Sequence, residues 1–360
     1  MIRLRYRNAA FAIGSVMLLA GCGLSATTSP ASNSASSTTS HKGPFKVAFT
    51  NAFIDSNFRV QEQKDMQTVA NEFIKKGLIS SYTAYNANNS VSTQISQIND
   101  IIQNKPNLLI VDATSATALN PVIQKAVQAG IKVISVNDLV TSPYVTKVNV
   151  NYVEYGKLAA QGLVQLLHGK GNIVSVRGDP GLPADATIWA GENDVLKKYP
   201  NIHIVSTFWA DWNPPTAEAK MASLLATGIK FNGVITQGGE AWGVAKAMLN
   251  AHRKLVPIIG GGTVGFLKIW NHYRKVDGYN AYTVGNPPAL ASYALEVGMM
   301  ELQGMKVPKF VTIPLVPVTD KNLSQYLNQP TANRFDQLRS YSNIQGIVKE
   351  ELAGKTVPFS

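Results

Sequence analysis

The chain predicts an α/β fold of two similar doubly wound lobes, each a parallel sheet covered by helices, joined by a multi-strand hinge. Three observations predict it. Short apolar segments alternate with segments of helical periodicity, the pattern of strands buried on both faces of a parallel sheet. The order strand, loop, helix, strand over residues 107–137 returns over 232–262 at nearly the same length. The 360 residues also exceed what one core serves comfortably and suit two lobes of ordinary domain size.

The elements follow in order. Residues 46–51 read as a short apolar strand, and the helix after it carries Met66, Val69, Phe73 and Ile74 on one face. A strand over 80–85 precedes a second helix with Val91, Ile95, Ile98 and Ile102 at helical spacing, which Pro106 ends. Residues 108–112 form a continuous apolar strand, 118–128 are helical, Gly130 caps that helix, and 131–136 is the next strand. The pattern then restarts: helix 153–167, strand 172–176, helix 190–198, strand 202–207, helix 216–226, strand 234–237, helix 241–251 and strand 256–259. A strand over 280–284, a helix over 287–303 and a strand over 309–316 complete it. This order assigns 44–148 plus 285–318 to an N-terminal lobe and 149–284 plus 319–360 to a C-terminal lobe. The lobes hinge across strands near 148, 284 and 318.

The N-terminus carries a processing signal. Arg3, Arg5 and Arg7 precede an uncharged run over 9–20, too short for a comfortable membrane span, and small residues follow. Leu19-Ala20-Gly21-Cys22 resembles the bacterial lipobox, in which the cysteine is lipidated and becomes the first residue of the mature chain. Residues 1–21 are therefore expected to be a lipoprotein signal peptide and Cys22 the lipidation site. Residues 22–43, rich in Ser, Thr and Ala, cannot bury enough surface to offset their ordering entropy and read as a flexible tether. Cys22 is the single cysteine, so the folded body has no disulfide and depends on packing.

The net charge is +11, about +8 without the three signal arginines. The lysines are scattered rather than clustered, and export argues against a nucleic-acid partner. Charged residues make up 15%, well below the usual quarter, for which an acidic medium is one explanation. No GxSxG elbow, HExxH pair or CxxC is present, and His41, His168, His203, His252 and His272 lack metal-ligand spacing. Neither a metal nor a cofactor is expected. Gly260-Gly-Gly-Thr-Val-Gly265 satisfies the dinucleotide expression, but a lone match is weak, and the stretch reads better as a tight loop where backbone approaches a ligand.

Ligands of doubly wound sheets bind at the carboxyl ends of the strands, so the loops there supply the candidate site. Asn57, Phe58 and Arg59 follow the first strand, and Asn137 and Asp138 end the fourth. Phe58, Trp189 and Trp212 offer aromatic platforms. Arg59 either forks a diol or carboxylate, or is a solvated residue at a helix start. Asp138 either accepts two hydroxyls or serves as a cap or hinge contact. Asp185, Gln237, Glu240 and Asn286 form a second tier, although Glu240 in a helix's first turn is also favoured by the helix dipole.

Several stretches carry a family resemblance in order. Residues 51–59 (Asn-Ala-Phe-Ile-Asp-Ser-Asn-Phe-Arg), 112–121 (Asp-Ala-Thr-Ser-Ala-Thr-Ala-Leu-Asn-Pro), Val136-Asn137-Asp138, 169–178 with Arg177-Gly178, 210–213 (Ala-Asp-Trp-Asn) and 285–288 (Gly-Asn-Pro-Pro) together resemble the ribose- and galactose-type group of type I periplasmic binding proteins, over roughly residues 45–318. The resemblance implies a non-enzymatic protein that binds a small polar solute, a sugar or polyol, closes its lobes and serves an ABC transporter permease. It implies a ligand-binding acid at Asp138 and a stacking aromatic at Trp212. The chain departs from the pattern at Ile188, where an arginine is usual, and at Gly238, Gly239 and Gly262, where polar residues are usual. The groups lost would bind sugar hydroxyls, which points away from ribose and galactose themselves.

The expected partners are thus a sugar-like solute, a membrane permease and the membrane itself through the lipid, for a monomer held outside the cytoplasm. A sensor of the same fold feeding a membrane kinase or chemoreceptor is the alternative, and neighbouring genes would separate the two. An extracytoplasmic hydrolase would need a nucleophile–base pair or facing carboxylates, and no such motif is visible.

Overall fold

The computed structural model describes residues 43–54, 56–328, 341–355 and 357, with backbone alone at Asn57. The expected signal peptide, Cys22 and tether lie outside these residues, apart from Gly43.

The first lobe is built from β1 (Phe45–Asn51), α1 (Asn57–Lys75), β2 (Ile79–Asn86), α2 (Val91–Gln103), β3 (Leu108–Val111), α3 (Asn120–Gln128), β4 (Lys132–Val136) and β5 (Thr146–Asn149). The second follows with α4 (Tyr152–Leu166), β6 (Gly171–Arg177), α5 (Pro183–Leu196), β7 (Ile202–Trp209), α6 (Pro214–Ala226), β8 (Gly233–Thr236), α7 (Glu240–Asn250), β9 (Ile258–Gly261), α8 (Val264–Asp277) and β10 (Tyr282–Gly285). The chain then returns with α9 (Leu290–Leu302) and β11 (Phe310–Thr312), and crosses once more to β12 (Val316–Val318). A short 3-10 turn, Leu323–Tyr326, and α10 (Tyr341–Leu352) are the last described elements.

Both sheets have six strands in the same order, β2-β1-β3-β4-β5-β11 and β7-β6-β8-β9-β10-β12. The shared order is the duplication anticipated from the two repeated segments. The first sheet is wholly parallel, and in the second β12 runs antiparallel to β10. Central strands such as β3 (Leu-Leu-Ile-Val) are buried at every residue, which is why they read as unbroken apolar runs. Polar caps start the helices: Ser56, Ser90, Asn151, Asn213 and Thr263 each accept a backbone N–H from three residues on.

Glycines set the closest helix contacts. A Cβ on Gly191 of α5 would fall 2.0 Å from the carbonyl oxygen of Val153 in α4, and one on Gly156 2.1 Å from that of Ile188. Backbone, not a movable side-chain tip, occupies that space. Gly191→Ala is expected to destabilise the protein by about 2 kcal/mol through overpacking, whereas Gly346→Ala on the exposed face of α10, where a Cβ meets nothing, should stabilise it by about 0.5–1 kcal/mol. Urea unfolding of the pair measures both.

Four differences from the sequence expectations stand out. Helix α5 begins at Pro183, not 190, because Pro183 occupies its first turn and Asp185 adds a first-turn acid. Helix α8 is unexpected: the glycine stretch 260–265 reads as a loop and 266–277 has no assigned element, yet Thr263 caps the helix, Gly278 ends it at φ 71°, and Phe266, Leu267 and Trp270 bury one face. The expected strand over 309–316 is two strands in different sheets: β12, expected with the N-terminal lobe, hydrogen-bonds to β10 in the second sheet. Helix α10, expected with the C-terminal lobe, packs on α9 and β11 and buries Ile344, Ile347 and Val348 in a core shared with the first lobe. The lobes are therefore linked by three crossings, at 150–151, 286–289 and 313–315.

Candidate functional site

A cavity of about 80 Å³ lies between the lobes, lined by Ser56, Phe58, Arg59, Tyr152, Tyr155, Ala184, Ile188, Trp212, Pro214, Gln237, Gly238, Gly239, Gly261, Gly262, Thr263, Asn286 and Pro288. Nearly all of these follow the carboxyl end of a strand or open the helix after it, the place where doubly wound sheets present their loops.

On the first lobe, Ser56 caps α1 by accepting the backbone N–H of Arg59 (3.3 Å), which sets that helix's first turn against the cavity. The Arg59 guanidinium is buried and sits among three buried carboxylates. It donates to Asp138 (2.8 Å) and Glu62 (3.2 Å) and pairs with Asp112. Phe53 and Phe58 stack on it at 5.1 and 5.7 Å. Glu62 also accepts from Asn51 (3.1 Å) and from Asn137, while Asp112 accepts the backbone N–H of Asp138 (3.1 Å). Burial pushes Glu62, Asp112 and Asp138 above the usual carboxylate range, and Arg59 partly offsets it.

Asp138 also crosses to the other lobe. Its second oxygen accepts the backbone N–H of Ala184 at 3.0 Å, in the first turn of α5. The residue at that helix's own cap position, Leu182, has no capping side chain, so a carboxylate from the first lobe takes that role. Two further contacts join the lobes here: Asn89 donates to Asp179 (3.3 Å), and Ala52 and Phe53 pack on Leu182.

The second lobe contributes mostly apolar surface. The indole of Trp212 occupies space that side chains elsewhere would need: a Cβ on Gly178 would lie 2.0 Å from it and one on Gly238 2.9 Å. Gln237 spends both ends of its amide, accepting from the backbone of Gly178 (3.0 Å) and donating to the carbonyl of Asp185 (3.2 Å). The crossings add Tyr152, whose hydroxyl accepts from Asn286 (3.3 Å), and Tyr155, whose hydroxyl donates to the carbonyl of Gln237 (2.9 Å).

Of the expected residues, Phe58, Arg59, Trp212, Gln237 and Asn286 line the cavity. Asn137, Asp138, Asp185, Trp189 and Glu240 are not among its lining residues. Asn137 and Asp138 belong to the ionic cluster behind Arg59. Asp185 forms a two-pronged pair with Arg177 (3.1 and 2.5 Å). Arg177 is sandwiched between Trp189 and Trp209 at 5.1 and 5.4 Å, so Trp189 is placed against a cation of its own lobe instead of the cleft. Glu240 is fully buried beneath Gly238, and burial pushes its carboxyl up to about 8. The side chain of Asn57 lies outside the described residues. The departures flagged in sequence, Ile188, Gly238, Gly239 and Gly262, all line the cavity. Tyr152 and Tyr155 were missed; their one signal was an aromatic pair three residues apart at the first turn of a helix entering the second lobe. Among the described residues no group of His, Cys, Asp and Glu is placed to hold a metal, and no helix is long and apolar enough to cross a membrane.

Two α/β lobes with a cleft at their strand ends define a class of solute-binding proteins. Residues 47–306 match the periplasmic binding protein domain, and the chain belongs to that family, with the type I architecture. It is 33% identical to a xylitol-binding protein of Mycolicibacterium smegmatis over 177 residues, 48% of this chain and 51% of that one, so the match spans about half of that relative. It is 23% identical to the ribose import binding protein of Bacillus subtilis over 310 residues, covering 85% of this chain and 96% of that one. Among solved structures, an ABC transporter solute-binding protein from Thermobispora bispora superposes with a TM-score of 0.81 at 26% identity, covering 88% of this chain and 99% of that one. One from Bacillus halodurans with bound myo-inositol superposes at 0.70 and 19% identity, covering 80% and 99%, and shares the fold. These relatives are binding proteins of transporters rather than enzymes, and membership implies a location outside the cytoplasm.

Proposed function

We propose that this protein is the lipid-anchored, extracytoplasmic receptor of an ABC importer. It captures a sugar or polyol between its lobes and hands it to a membrane permease. The observation that carries the reading is the interlobe cavity, in which Arg59, Tyr152 and Asn286 present polar groups beside the Phe58 and Trp212 rings. Aromatic faces and fixed donors are what a carbohydrate's apolar faces and hydroxyls need. The xylitol-binding relative and the myo-inositol-bound structure point to the same ligand class. Capture works by closure across the three crossings, and the ligand stabilises the closed form through contacts to both lobes. Cys22 would hold the body near the permease by its lipid, raising local concentration without a large protein interface.

A cognate solute present at a hundred times its Kd is expected to stabilise the protein by about 2.7 kcal/mol, seen as a raised Tm, and to compact it in small-angle scattering. Mass spectrometry of material released from the purified protein identifies candidates. A panel of sugars, polyols and nucleosides that moves neither Tm nor radius of gyration would sink the proposal.

A further inference from the structure

The two sides of the cavity differ in what they offer a ligand. On the side of the first lobe and the crossings, Arg59 lines the wall, its guanidinium paired with three carboxylates. The Tyr152 hydroxyl accepts from Asn286, so its own proton is left to donate. The carbonyl oxygen of Asn286 is buried without a hydrogen-bond partner, an acceptor in want of a donor. On the second lobe the side chains are Ala184, Ile188, Trp212 and Pro214, with glycines between them. Two of the polar side chains there are engaged. Gln237 has spent both ends of its amide and the Tyr155 proton goes to the Gln237 carbonyl, while the Thr263 oxygen caps α8 and keeps its proton to donate beside the glycine turns. The glycine turns bond to themselves, Gly261 N–H to the Gly238 carbonyl (3.1 Å) and Trp242 N–H to that of Gly239 (3.1 Å). Trp212, held close to Gly178 and Gly238, leaves no space there for a polar side chain.

We infer that the ligand carries its hydroxyls along one edge and turns a hydrocarbon face to the second lobe: a deoxygenated sugar or polyol in preference to its fully hydroxylated parent. The inference rests on the reading that this cavity takes a sugar or polyol. Its physical basis is asymmetric. Hydroxyls on the first-lobe edge meet a donor and a vacant acceptor, Tyr152 and Asn286. A hydroxyl aimed at Ala184, Ile188 or Pro214 loses water and gains no partner, and an unpaired buried hydroxyl costs far more than a paired one returns. A methyl or methylene at the same position gains contact with the indole and the isoleucine.

Calorimetric titration of the purified protein, stripped of bound solute by unfolding and refolding, tests this with matched pairs: 2-deoxyribose with ribose, fucose with galactose, rhamnose with mannose, and 1,2-propanediol with glycerol. In at least one pair the deoxygenated member is expected to bind at least tenfold more tightly, which is about 1.4 kcal/mol. A smaller advantage in every pair that binds, or tighter binding of the parents, overturns the inference and leaves the sugar-receptor reading in place. No binding by any pair overturns the inference, and the broad Tm and scattering panel then decides the sugar-receptor reading separately. Ile188→Thr, which puts a hydroxyl on the second-lobe wall and removes one methyl, is expected to narrow the ratio at least threefold relative to Ile188→Val, which removes a carbon without adding the hydroxyl. An unchanged ratio in that variant overturns the role given to the apolar wall.

Discussion

Replacing Arg59 by alanine is expected to be the most damaging single change at the site. The guanidinium is the shared cation for Glu62, Asp112 and Asp138, all buried. Its removal leaves three carboxyls in a dry interior with no positive partner, and breaking a buried ion pair by deleting one side costs about 3–5 kcal/mol. The loss falls on binding as well, because Arg59 also forms the cavity wall and orients Asp138 toward Ala184. Thermal melts of Arg59→Ala should show a Tm lowered by roughly 10 °C at pH 7. The deficit should shrink toward pH 5, where the orphaned carboxyls take up protons and need no cation. A deficit that stays constant across this range would mean that lost packing, not lost charge, is the cause. Arg59→Lys keeps the charge but not the fork, and is expected to fall between the two.

The second large effect is on the pH dependence of stability itself. Burial pushes Glu240 and Glu296 up to about 8, and Glu192 well above the usual carboxylate range, where Arg177 only partly opposes it. An unfolded chain releases these protons near the ordinary value of 4.5. Each folded-state pKa is therefore raised, so the folded form holds protons that the unfolded form gives up. The stabilisation is fully present below about 4.5 and is lost as pH rises through about 8. The Glu62, Asp112 and Asp138 cluster shifts in the same direction. Tm is expected to fall steadily from pH 5 to pH 9, and Glu240→Gln, which keeps the shape without the titration, should flatten the slope. A Tm that is level or rising over that range would contradict the assignment. A protein with few charges and several buried neutral acids is one suited to acidic surroundings, in keeping with the 15% charged content.

Most of the fold was legible because burial on both faces leaves a strand such as β3 no room for polar residues. Legibility failed where two signals collided. The Gly260–Gly265 stretch carries a loop signal in its glycines and a helix signal in Thr263 and Val264, and the helix won because Gly265 lies in its first turn where Trp242 packs close by. The site was legible in its location and less so in its members. Position after a strand picks out Phe58, Arg59, Trp212 and Asn286, since strand ends converge there. It does not tell a side chain that faces the cleft from one that holds a neighbour. Asp138, Asp185 and Trp189 look like ligand contacts by residue type, yet their chemistry is taken up by Arg59, Ala184 and Arg177. Tyr152 and Tyr155 escaped because they approach along a helix that crosses between lobes, where strand order gives no guide.

The carboxylate of Asp138 at the start of α5 sets a timing for the whole molecule. Any separation of the lobes that moves Ala184 away strips that helix of its only described cap at Leu182 and Ala184, at a cost of about 1 kcal/mol. The shut arrangement is thereby favoured roughly fivefold even before a solute arrives, and the open, receptive population shrinks in the same ratio. Arrival slows because an incoming molecule must wait for an unlatched cleft, and departure slows because the latch must break again. Asp138→Ala, which removes the capping oxygen, would trade that long residence for faster exchange in both directions.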